Sequence, residues 1–125
     1  MQEGRDVTKW GKDHWSLLAY VETACVDEQG KLDRRRMRCN ENRHPLMTNM
    51  RWNPDYCTRL KEGKIEGHDD WDCLEDLEVA GFIEIISLIN GFVRMTELGM
   101  RVATQIRSHK VGGGHFATFV LEEAV

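Results

Sequence analysis

Apolar residues never run long in this chain. The most apolar stretch, 81–93, is broken by Glu84 and Asn90, which leaves it too short and too polar for a bilayer-spanning helix of about 20 residues. Residues 1–13 are polar and hold no secretory apolar region, so the expectation is a cytoplasmic protein with no membrane partner. Cysteine is sparse and dispersed. Cys25, Cys39, Cys57 and Cys73 form no CxxC pair, which argues against a disulfide framework and against the close ligand pairs of structural zinc. Cys39, His44, Cys57, His68 and Cys73 contain enough nitrogen and sulfur for a tetrahedral site, but their spacing is poor. Buried or idle thiols are the preferred reading, with no metal bound. Catalytic signatures are missing too: there is no phosphate loop, no HExxH and no GxSxG. The run His68, Asp69, Asp70 and Asp72 offers histidine and carboxylates to a hard metal, yet helix capping accounts for the same residues. His14, His44, His109 and His115 are scattered, as structural or solvent-facing histidines usually are. No enzyme activity and no cofactor are expected.

What is present fits one soluble globular unit. A chain of 125 residues, 41% hydrophobic and 30% charged, is long enough for a single core and short for two, so 1–125 reads as one domain. The net charge of −4 conceals a division along the chain. Residues 1–30, 31–64, 65–99 and 100–125 carry −3, +6, −8 and +1. Blocks this asymmetric steer charged partners as well as solvating a face.

Leu17, Leu18, Val21, Ala24 and Cys25 recur at three- and four-residue spacing, which predicts a first helix from His14 to Asp27, capped by Asp13 and ended by Gly30. Asp33 stands as an N-cap between Leu32 and Met37, the two ends of a hydrophobic staple, so a short second helix carrying Arg34, Arg35, Arg36 and Arg38 follows. Cations in a first turn oppose the helix dipole, which points to a surface task or charge neutralisation. Over 40–67 the periodicity vanishes, and both prolines, Pro45 and Pro54, fall there. This stretch reads as a long irregular insert, either a binding element or a loop anchored by Trp52 and Tyr56. Capping by His68 or Asp69 begins a helix that runs to Ala80 and stops at Gly81. Phe82 to Ile89 and Phe92 to Met95 read as strands joined through a tight Asn90-Gly91 turn in which both residues take positive φ. Thr96 then opens a last helix with the stripe Leu98, Val102, Ala103 and Ile106. It stops at Gly112, Gly113 and Gly114, leaving a tail over 112–125 that adds a strand or stays mobile.

The run Cys73-Leu74-Glu75-Asp76-Leu77-Glu78-Val79-Ala80-Gly81-Phe82-Ile83, followed by Asn90-Gly91-Phe92-Val93-Arg94-Met95-Thr96-Glu97-Leu98-Gly99, resembles the "L-x-x-L-x-x-x-G-[FL]-[IV] … V-x-[LM]-T-x-x-G" sequence of winged-helix regulators of the MarR and PadR kind. It covers the C-terminal half of such a domain. The resemblance implies an α+β, winged-helix-like fold, mainly helical, with a two-strand wing hairpin. It also implies duplex DNA as partner, with the helix before Gly81 in the major groove, and a homodimer through the terminal helices, where Trp10 and Trp15 would suit the interface if exposed, although core packing is the expected use of at least one.

Two departures redirect that expectation. The outer face of the helix before Gly81 would present Asp72, Glu75, Asp76 and Val79, and carboxylates repel a phosphate backbone. The insert also replaces the short turn of an ordinary helix-turn-helix. The basic surface Lys31, Arg34, Arg35, Arg36, Arg38, Arg43 and Arg51 is therefore the expected nucleic-acid contact of a small regulatory DNA-binding protein. The alternative is a protein-interaction module, such as a phage or mobile-element inhibitor, whose Asp72, Glu75 and Asp76 bind a basic nucleic-acid-handling protein.

Overall fold

The first helix, α1 (Lys12–Asp27), buries the expected stripe of Leu17, Leu18, Val21 and Ala24 and half-buries Cys25. Each such aliphatic side chain contributes about 1.5–3 kcal/mol when fully buried. A computed structural model describes residues 7–40 and 51–121, and within them α1 is the central element, packed against the other helices, the hairpin and the C-terminal turn. Its cap is Gly11, and Asp13 does not serve as one. The Asp13 side chain turns inward instead, to accept hydrogen bonds from the Arg59 N–H (2.7 Å) and the Arg38 guanidinium (3.2 Å). Trp10 and Trp15 are both core residues, where core packing was expected of at least one. The indole of Trp10 stacks on His14 with centroids 4.5 Å apart.

The short second helix is a single 3-10 turn, Arg34–Arg36, capped by Asp33, which accepts from the Arg35 N–H at 3.0 Å. The insert is less irregular than its composition suggests. Strand β1 (Arg38–Cys39) pairs in parallel with β2 (Arg51–Trp52), and β3 (Thr58–Arg59) pairs antiparallel with β4 (Lys64–Ile65). Two-residue strands are too short to show an alternation in sequence. They are held from outside, by Asp13 on Arg59 and by Asn40, whose amide donates to the Pro54 carbonyl at 3.0 Å.

Helix α2 (Asp70–Val79) opens with a full capping box. Asp69 accepts from the Asp72 N–H, and Asp72 accepts from the Asp69 N–H, both at 3.1 Å. Trp71, Cys73, Leu74 and Leu77 are buried. The hairpin β5 (Ile83–Ser87) and β6 (Phe92–Met95) is present, but its turn differs from expectation. Ser87 pairs with Phe92, so residues 88–91 form the connection, and a bulge lies between Ile85 and Ser87. Gly91 alone in this turn has positive φ (75°), and its N–H donates to the Ser87 carbonyl at 2.8 Å. The bulge shifts the register and lengthens the loop, so a two-residue turn is not required. The Ile85 N–H donates to Glu78 of α2 at 2.9 Å, tying helix to hairpin.

Thr96 caps α3 (Glu97–Val111) by accepting from the Gly99 N–H at 2.9 Å. A Cβ on Gly99 would lie 1.9 Å from the Phe82 carbonyl oxygen, so the helix seats directly on the strand entry. Gly99→Ala is expected to destabilise the fold by about 1 kcal/mol or more through overpacking; a urea midpoint equal to wild type would contradict this. Over 112–121 the tail is docked and holds no strand, and residues 122–125 of the expected tail lie outside the described residues. After a 3-10 turn, Phe116–Thr118, Phe119 is buried edge-on to Trp15 with centroids 4.8 Å apart. The architecture is α+β, with three helices and three two-stranded ribbons among the described residues. None of these helices is long and apolar enough to cross a membrane.

Candidate nucleic-acid interface

The basic surface is assembled by the parallel β1–β2 pair. Arg51 aligns with Arg38, and its N–H donates to the Met37 carbonyl at 3.1 Å, directly after the 34–36 turn. Cations well separated in sequence thereby collect in one region. Arg35 is open, its side chain 80% exposed and 3.3 Å from the Asp33 carboxylate. The Arg35 N–H holds the Asp33 carboxyl below its ordinary value. Arg36 lies over the Tyr20 ring (4.8 Å to the centroid) and Lys31 over Phe92 (5.0 Å). These aromatic faces hold the cationic groups themselves in place. Tyr20, Lys31, Arg34 and Arg35 line an open cleft of about 900 Å³ together with Asp27 and Glu28. Arg43 lies outside the described residues.

Arg38 takes a different role from its neighbours. Its backbone N–H (2.8 Å) and Nε (3.1 Å) both donate to Asp70 Oδ2, and its Nη2 reaches Asp70 Oδ1 (3.3 Å) and Asp13 Oδ1 (3.2 Å). Tyr56 lies under the guanidinium at 4.8 Å and donates its hydroxyl to Asp70 Oδ1 at 3.0 Å. Asp13 and Asp70 are almost fully buried. Burial opposes the charge on Arg38, but the two carboxylates outweigh it and raise its pKa. Burial and the same carboxylates also push the Tyr56 hydroxyl up. Arg38 is thus the keystone of an internal ionic cluster, and its guanidinium is committed away from phosphate.

The acidic helix is likewise turned to internal use. Asp72 is buried in the capping box. Asp76 Oδ2 sits 2.9 Å from His14 Nε2 and 3.0 Å from His68 Nε2. Of Asp72, Glu75 and Asp76, only Glu75 is fully exposed. The network continues inward: His68 Nδ1 is 2.8 Å from Thr58 Oγ1, which is 3.2 Å from Cys73 Sγ. A hydroxyl, an imidazole and a carboxylate in series have the form of a nucleophilic relay, but Thr58 and Cys73 have no exposed surface. Burial also drives the Cys73 thiol well above its ordinary value. What the arrangement can do is orient two imidazoles on one carboxylate. The cysteines are free thiols, and no group of three or more His, Cys, Asp or Glu among the described residues is arranged to hold a metal ion.

Capping correctly accounts for Asp69 and Asp72. Tyr56 anchors the insert, one of the two uses expected of that stretch, through Asp70. The inward roles of Asp13, His14 and Thr58 were not anticipated. The one local signal was Trp10 with His14, four residues apart and stacked along the start of α1. No family model matches the chain, and no curated protein or solved structure matches it either.

Proposed function

We propose that this is a small winged-helix-like regulatory protein that binds nucleic acid through Lys31, Arg34, Arg35, Arg36 and Arg51. The observation that carries this reading is the convergence of Arg51 on the Arg34–Arg36 turn through the β1–β2 pairing. The element order supports the winged-helix comparison. So does the antiparallel bridge between Lys31 and Phe92, which lays a short third segment beside the hairpin. The acidic-helix alternative is weakened, because Asp72 is buried in the capping box and the half-buried Asp76 is held by His14 and His68, which leaves Glu75 as the exposed member of those three.

Affinity for a labelled oligonucleotide is expected to fall steeply with salt, since each phosphate neutralised contributes a log–log slope of about 0.7 to 0.9. The quadruple variant Arg34→Ala, Arg35→Ala, Arg36→Ala, Arg51→Ala should lose this binding while keeping its far-ultraviolet circular dichroism. Absence of any binding by the wild-type chain at low salt would refute the reading.

A further inference from the structure

Trp52 stands apart from the other tryptophans. Trp10, Trp15 and Trp71 are buried, whereas Trp52 is 40% exposed and directly follows Arg51 in β2. Adjacent residues of an extended strand point to opposite sides, so a cation and an indole straddle the edge of the β1–β2 pair. Both are exposed. A flexible polynucleotide carries phosphates on one side and bases on the other, and single-strand sites combine cations with aromatic platforms on which bases stack.

The features that would read a duplex are weak here. The cations sit on a single 3-10 turn and a two-residue strand, neither of which can fill a major groove of about 12 Å. The outer surface of α2 shows Glu75 and Glu78, and Arg94 of β6 is paired with Glu84. We infer that the preferred ligand is single-stranded nucleic acid, with a base stacked on Trp52 and the flanking phosphates on Arg51 and the Arg34–Arg36 turn. This inference rests on the nucleic-acid reading above.

The test uses the full chain at low salt with a fluorescein-labelled mixed-sequence strand, alone and annealed to its complement. The single strand should bind about tenfold more tightly or better and should quench tryptophan emission, because a stacked base contributes about 1–3 kcal/mol. Trp52→Ala should remove that advantage and leave duplex affinity unchanged, while Trp52→Phe should retain most of it. The urea midpoint of each variant shows that the fold is kept. A Trp52→Ala variant that binds single strand as wild type does overturns the inference, whatever the duplex shows. Equal affinity for strand and duplex also overturns it and leaves the cationic surface standing, whereas no binding to either refutes both readings.

Discussion

Replacing Asp70 by alanine is expected to cost about 3–5 kcal/mol, a large part of the 5–15 kcal/mol that holds an ordinary domain folded. The loss strands several donors at once: the Arg38 N–H, its guanidinium Nε and the Tyr56 hydroxyl all lose their acceptor. Arg38 keeps Asp13 at 3.2 Å, and 26% of its side chain reaches solvent, which places the cost toward the lower end. Removing all three charges should be milder. In the triple variant Asp13→Asn, Arg38→Met, Asp70→Leu, no buried charge is left alone, and hydrophobic replacements of buried ion pairs are often neutral. Urea denaturation of the single and triple variants compares the two losses. A single-variant loss under about 1 kcal/mol, the range of surface pairs, would show that the cluster is not the clamp described.

Stability is also expected to peak on the acid side of neutrality. Burial pushes His68 down, but the hydrogen bond and charge of Asp76, with Asp72 and Asp69 behind it, prevail and raise it. A raised histidine contributes stability that is complete below its unfolded value of 6.5 and is lost as the pH climbs through the folded value. Asp76 behaves oppositely. Burial pushes it up, but hydrogen bonds from His14 and His68 hold it down to about 2. Its contribution is complete above 3.8 and disappears as the pH falls toward about 2. A displacement of that size on a carboxylate corresponds to roughly 2 kcal/mol, reduced here because solvent reaches 33% of the side chain. Both contributions are complete between 3.8 and 6.5. Chemical denaturation across that range and beyond should show the maximum, and Asp76→Asn should flatten both flanks. A variant profile that only shifts downward, with its shape intact, would rule out Asp76 as the origin.

What was legible in the sequence was what is encoded locally. The stripe of α1, the Asp69 cap, the stop at Gly81, the hairpin and the Thr96 cap are each specified within a few residues. The insert was not legible, because its two-residue strands are fixed by side chains far away in the chain, Asp13 on Arg59 and Asp70 on Arg38. Trp52 and Tyr56 show the same limit. Either could serve an insert that binds or one that is anchored, yet only Tyr56 is buried on an acceptor, which Asp70 supplies from α2. Arg38 could not be distinguished from Arg34, Arg35 and Arg36 for the same reason. At the hairpin, Asn90-Gly91 marked the right place and the wrong geometry, since the bulge after Ile85 altered the register.

A two-stranded ribbon has two raw edges, and each invites another chain. Along β6 the backbone of Gly30 to Leu32 fills the gap: the Val93 N–H donates to the Gly30 carbonyl at 3.0 Å, and the Leu32 N–H to the Gly91 carbonyl at 2.8 Å. Along β5 the occupant is the Glu78 carboxylate on the Ile85 N–H. With Ile86 and Ile89 exposed beside it, that edge would otherwise be an apolar template for strand addition. A second copy would have to break that hydrogen bond and lay its own backbone beside a carboxylate. Glu78 thus blunts the edge by occupying an N–H that an added strand would need, beside an apolar exterior that would otherwise suit a growing sheet.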